Sequence, residues 1–356
     1  MNLAFCRTPF IVACDFDPLQ IATKIELFIW NLGETEPTTP TKVLEKVTFS
    51  PTQYANYYNI SPFVADKIEF IIKPAVNVKV KKYYKLDTDW IAEVEELNNI
   101  FTYGYSTGGG IFGIDFLALK SDREIKKYTF PNNFLLGDII PTVDFLFDFD
   151  VYDHFRVLYS SALGSETIDY TGTGIELNRI PLAYTSAEFI NGNFVYIQTF
   201  NGLSYDTIDS FRVVTECEPK FNPFIIRFVN DLGGIDQMNF FKKSTKSFEV
   251  KGNDYDITHF TTYPTTNPYL GQSQVFNKNG TQTIKLNSGW ISESEVQLIK
   301  QISLSENLIM MDTVDASFVS VKLKNATFVE KTKLNDRVLN YEIELEYANP
   351  MINNIV

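Results

Sequence analysis

Hydrophobic and polar residues alternate along much of this chain. "ATKIELFIW" (22–30) places Ile25, Leu27 and Ile29 on one side and Lys24, Glu26 and Phe28 on the other, the period-two pattern of a half-buried strand. "VNVKVKKYYK" (76–85), "FVSVKLK" (318–324) and "LNYEIELEYA" (339–348) repeat it. In the last, Tyr341, Ile343, Leu345 and Tyr347 oppose Glu342, Glu344 and Glu346, a row that reads as a solvated strand face, a negative lumen or a partner surface. "IDFLALK" (114–120), "EIKKYTF" (124–130), "DFLFDFDVYDHFRVLYS" (144–160) and "AEFINGNFVYIQTF" (187–200) follow at strand-like spacing, with Asn191-Gly192 placed for a hairpin turn. Helical spacing is rare. Ser61 as N-cap before Pro62 predicts one short turn. "SESEVQLIKQISL" (292–304) predicts a helix, with Ser292 and Glu295 as a capping box and Val296, Ile299 and Ile302 as its apolar stripe.

The pattern therefore predicts a mainly β protein: β-sandwich or β-barrel-like units with one notable C-terminal helix, about 292–304. The 356 residues accommodate an N-terminal β-sandwich (1–95), a central β domain (96–212) and a C-terminal β unit carrying the helix (213–356). Thirty Phe and 19 Tyr suit such pleated, half-buried surfaces. "NPFIIRFVNDLGGIDQMNFFKKSTKSF" (222–248) reads as a β corner, because "FIIRFV" is too short and too charged for a membrane and "NDLGG" suits a reverse turn. "FIWNLG" (28–33) and "FVNDLG" (228–233) share Phe-x-x-x-Leu-Gly at a strand end, from a duplicated β unit or from two similar turns.

Net charge narrows the partners. At −13, with basic residues in short groups, the chain offers no basic groove, which disfavours tight phosphate binding. A wall along which nucleic acid passes without sticking remains compatible. Cys6, Cys14 and Cys217 have neither a disulfide framework nor metal-ligand spacing. The opening residues do not read as a signal peptide, and no apolar run approaches the roughly 18–20 residues that span a bilayer. The expected site of synthesis is a reducing cytoplasm.

Candidate chemistry is sparse. Gly108, Gly110 and Gly113 match GxGxxG, but a strand pattern follows where a dinucleotide site needs a helix. Asp148, Asp150 and Asp153 are oxygen ligands without the EF-hand spacing or its terminal glutamate. His154 lies beside them, and His259 stands alone; no nucleophile motif accompanies either. A hydrolase would need a carboxylate from 138–153. No catalytic, cofactor-binding or metal-ligating residue is assigned, and no cofactor is expected.

"TECEPKFNPFIIRFVNDLGGIDQMNFFKKS" resembles a segment of virion structural proteins from phages that infect Bacteroidetes: "EC" before a strand, an asparagine-containing turn ending in glycine, then a "FFK" strand. "TPFIVACDFDPLQIATKIELFIWN" (8–31) with "YYNISPFV" (57–64), "NGTQTIKLNSGWISESEVQLIKQISLSENLIM" (279–310) and "KNATFVEKTKLNDRVLNYEIELEYANPMINNIV" (324–356) fit the same pattern in the same order. The likeness covers about 1–75 and 213–356. Its closest setting is the short tail of crAss-like phages, whose ring proteins stack below the portal. It implies a non-enzymatic tail ring or hub protein, made in the host cytoplasm and located in the virion. The implied partners are copies of itself, other tail and neck proteins, and viral DNA passing through a lumen without specific binding, with no membrane insertion. The alternative is a tail-tip or baseplate-proximal adhesin that binds host surface glycans.

Overall fold

The computed structural model describes residues 2–15, 19–47, 55–68, 75–104, 126–131, 142–148, 154–161, 164–172, 175–181, 193–200, 202–216, 221–231, 233–256, 273–312, 317–324 and 338–349. The strand expected at 114–120 and the Asn191-Gly192 turn lie outside them. The architecture is mainly β, with several sheets and two helices among the described residues. Residues 1–217 with 229–237 form one compact unit, and 218–228 with 238–356 form the other.

In the first unit, β1 (Asn2–Phe5), β7 (Asp89–Thr102), β6 (Ala75–Leu86), β3 (Ala22–Asn31) and β4 (Lys42–Val47) form one sheet in that order. Alternation decides its faces. Ile25, Leu27 and Ile29 of β3 and Val76, Val78 and Val80 of β6 are buried together, as their period-two spacing requires. Over that face lie β2 (Ile11–Asp15), β5 (Ala55–Asn59) and α1 (Ser61–Ala65), which bury Val12, Cys14, Tyr58, Ile60 and Val64 in the same core. Two apolar faces thus close on each other as a sandwich. A polar clamp crosses it: the Tyr58 hydroxyl donates to the Thr23 carbonyl at 2.8 Å, and Asn56 Nδ2 donates to Thr23 Oγ1 at 2.8 Å.

Two expectations change here. Ile60, not Ser61, caps α1, and Pro62 is its second residue. Ser61 instead donates to the Thr8 carbonyl and accepts the Phe10 N–H at 2.8 Å, so its hydroxyl ties down the incoming chain. The boundary expected at residue 95 falls inside β7, which pairs with β6 between Ala75 and Thr102.

A second sheet of the first unit runs β11 (Gly164–Thr171), β10 (His154–Ser161), β13 (Asn193–Phe200), β14 (Tyr205–Glu216) and β8 (Lys126–Pro131). β9 (Thr142–Asp148) pairs with β12 (Ile175–Pro181), and Phe147 of β9 meets Phe155 of β10 at 4.5 Å between ring centroids. β10 and β14 occupy the two edges of β13.

The second unit holds a seven-stranded sheet, all but Val229 and Ile235–Gln237 of which it contains: β16 (Ile235–Phe240), β15 (Phe224–Val229), β19 (Leu308–Asp312), β20 (Ser317–Leu323), β21 (Val338–Tyr347), β18 (Ser273–Ser292) and β17 (Thr245–Asp256). Its two edge strands are consecutive in the chain. From Phe240 to Thr245 the backbone reaches at most about 18 Å, whereas the edges of a flat seven-stranded sheet lie about 29 Å apart. The sheet must curl toward a barrel, and it does: Lys246 Nζ lies 3.7 Å from Asp312 and 5.4 Å over the Phe224 ring, across the closure. Inside, Phe224, Ile226 and Phe228 pack with Ile284, Leu286, Ile343 and Leu345. α2 (Glu293–Leu304) contributes Val296, Ile299 and Ile302, the stripe its spacing predicts. The side chains of Ser292 and Glu295 lie outside the described part.

Candidate functional site

Among the described residues, the most exposed regular structure is a ribbon. β18 pairs with β17 from Ser273 to Lys285 but joins β21 only from Thr283 onward. Among the described residues, 248–256 and 273–282 therefore run past the sheet with only each other as partners, and every residue of β17 is exposed. Its apolar side chains are not placed at random. Lys246 lies opposite buried Ile284, so Phe248 and Val250, two and four residues on, continue the core-facing row beyond the core. They are 55% and 54% exposed. Among the described residues, β17 has no strand on its outer edge. An open edge with apolar side chains is a template for another chain, and a two-stranded ribbon alone is marginal in water.

A second open edge lies in the first unit. Among the described residues β4 pairs only with β3, and Val43 and Val47 on its outward face are exposed. Lys46 donates to the Tyr57 carbonyl, which holds β4 near β5.

His154 joins a third surface. Phe155, Val157 and Tyr159 of β10 and Val195, Ile197 and Thr199 of β13 are buried, so their neighbours share the opposite, half-exposed face. There His154 Nε2 meets the Tyr205 hydroxyl at 2.7 Å and its ring stacks on Phe200 at 5.1 Å. Arg156 grips both carboxylate oxygens of Asp169, at 2.6 and 2.9 Å, and stands 3.9 Å over the Tyr205 ring. The Arg156 hydrogen bonds hold Asp169 below the usual carboxylate range. Gln198 donates to Thr207 at 3.1 Å, and Phe194 stacks on Tyr196. This arrangement positions rings and planar polar groups, with His154 already engaged by Tyr205. The pairs are 51 and 13 residues apart, so no local motif announces them.

Of the other candidates, Gly108, Gly110, Gly113, Asp150, Asp153, His259 and Cys217 lie outside the described residues. Asp148 ends β9, opposite Ile175. Cys6 and Cys14 are buried, and burial pushes the Cys14 thiol up to about 12, which leaves it a poor nucleophile. Among the described residues, no three of His, Cys, Asp and Glu converge to hold a metal. No helix there is long and apolar enough to cross a membrane. The glutamate row of β21 is interleaved with lysines: Glu344 pairs with Lys324 at 3.1 Å and Lys285 at 3.7 Å. Those cations sit where a bare negative wall would have none.

The outer face of the first sheet carries a comparable network. Lys79 bridges Glu36 at 3.1 Å and Glu96 at 2.8 Å, and Lys24 lies between Glu26, at 2.9 Å, and the ring of Tyr83. Burial alone would raise the Glu26 carboxyl, but hydrogen bonds from Lys24 and Tyr83 outweigh it and hold the carboxyl below its ordinary value. A carboxyl lowered in the folded state stabilises above the ordinary glutamate pKa, about 4.3, and the gain disappears as pH falls through the folded-state value. Glu26→Gln is therefore expected to cost about 1 kcal/mol at neutral pH. The cost should shrink as pH falls below the ordinary glutamate range; urea unfolding of both proteins from pH 7 down to pH 3 checks the trend.

No protein-family model and no curated protein matches the chain.

Proposed function

We propose that this chain is a structural component of a bacteriophage tail, a ring or hub protein below the portal that assembles as a homo-oligomer and contacts other tail proteins around the DNA channel. The observation that carries the reading is the uncovered β17–β18 ribbon, an arm whose apolar row and open edge have no partner strand among the described residues. A ring subunit needs such non-self surfaces, because heterologous contacts close by rotation. The resemblance of four ordered segments to virion proteins supports the setting, and a net charge of −13 suits a channel through which DNA slides without binding. Light scattering with particle images of the purified protein tests it. Closed rings of one copy number are the expected result; a monomer at every concentration counts against intrinsic assembly.

The half-exposed rings around Tyr205 favour one alternative, an adhesin for host surface glycans, since aromatic faces beside planar polar groups suit sugar stacking. Glycan-array binding by the isolated protein, lost in Tyr205→Ala, is the outcome that would select it.

A further inference from the structure

We propose that Asn279 is a site of self-modification: the Gly280 backbone nitrogen attacks the Asn279 carboxamide, releases ammonia and leaves aspartate or isoaspartate in its place. The inference concerns the covalent chemistry of the ribbon and does not rest on the ring reading. Asn279 and Gly280 lie in β18, in the stretch that has only β17 as a partner among the described residues. There the Gly280 N–H donates to Asn279 Oδ1 at 2.8 Å. The carboxamide carbon is one C=O bond beyond that oxygen, so it lies at most about 4.0 Å from the nitrogen. Atoms held ready to combine stand about 3–3.5 Å apart.

Only the nitrogen of the next residue closes a five-membered ring on an asparagine side chain. Asn230 accepts from Gly234, four residues on, and Asn287 from Gly289, two residues on, so neither of those contacts leads to the ring. Gly280 has no Cβ to crowd the approach, and Asn279 is exposed. Gly280 itself is covered, opposite Val250, so the backbone must flex to bring its nitrogen onto the carbon. The ribbon permits this. Two strands alone are marginal in water, and the register shifts between Lys251, the partner of Asn279, and Asn253.

Water is the only co-reactant. A bond forms from the Gly280 nitrogen to Cγ, the bond from Cγ to its amide nitrogen breaks, and that nitrogen leaves as ammonia with the Gly280 amide proton. Water then opens the succinimide at either carbonyl. A carboxylate results opposite Lys251, on a backbone that is either restored or lengthened by one methylene. The lengthened form breaks the pairing of the ribbon toward its tip.

Peptide mapping by mass spectrometry of the full chain, aged in mildly alkaline buffer, tests the proposal. A gain of about 1 Da on the peptide holding Asn279, with isoaspartate detected there, is the expected result. The rate should rise with pH, because the deprotonated amide is the nucleophile. Gly280→Ala should slow the gain about 10-fold or more. Asn279→Gln, which leaves the backbone unchanged, should abolish it and serves if Gly280→Ala does not fold by circular dichroism. The same protein aged in urea gives the rate of the unfolded sequence. A folded rate within about 10-fold of it supports the proposal. A slower one overturns it, because the ribbon then locks the nitrogen away from the carboxamide.

Discussion

Gly233→Ala is expected to remove more than about 4 kcal/mol of stability, or to leave no soluble protein. Gly233 sits at φ +83, and a Cβ there would lie 2.6 Å from the backbone nitrogens of both Tyr103 and Gly104 and 2.8 Å from Thr102 Cβ. Backbone just past the end of β7, tied at Gly104 by the Arg7 N–H, cannot swing aside as a flexible side chain can. The turn itself is tightly tied: Asn230 N–H donates to the Gly234 carbonyl at 2.9 Å, and Gly234 N–H donates to Asn230 Oδ1 at 2.9 Å. Gly33 is the control. It ends the sister motif, has φ +80, and would place a Cβ in open space. Gly33→Ala should cost only the strain of a left-handed alanine, about 1–2 kcal/mol. Urea unfolding of the two variants compares them; equal losses would show that the close approach at residue 233 is unimportant.

Phe228→Ala should cost about 3–5 kcal/mol, because Phe228 is fully buried in the C-terminal core and truncation leaves a cavity. Phe248→Ala should change monomer stability by no more than about 0.5 kcal/mol, since its side chain is more than half exposed. Self-association should reverse that order, with Phe248→Ala weakening it. Thermal unfolding at low concentration gives the first ranking and light scattering at high concentration the second. A large loss of monomer stability in Phe248→Ala would mean that the ribbon belongs to the core and is no docking arm.

Those contrasts bear on what could be read from residues alone. β3, β6 and β21 are legible because each has one buried face, and period two reports a buried face directly. α2 is legible for the same reason at helical spacing. Pairing partners are not legible. Nothing in the residues of β13 says that β10 and β14 will take both its edges. Ser61 and Pro62 suit a helix start in composition, yet a tertiary partner, Thr8, claims the serine hydroxyl. The ribbon was hidden for another reason: fully exposed strands mix polar and apolar residues, so "TKSFEVKGNDYD" carries no clear period. The Arg156–Asp169 and His154–Tyr205 contacts come from strands whose adjacency the residues do not announce.

The curled C-terminal sheet also has a history during synthesis. β15 has β16, the next strand in the chain, on one side and β19 on the other, Phe224 against Asp312, so "FIIRFV" waits for its second partner 88 residues downstream. At roughly 5–20 residues per second, that is about 4–18 s in which the far edge of the β15–β16 pair stays unmet. Closure must come last, because both edges of the barrel are in hand long before its middle strands emerge. The nascent chain therefore passes through a stage with apolar strands exposed, and it is at this stage, rather than in the finished fold, that crowding by neighbouring copies would divert it into aggregates.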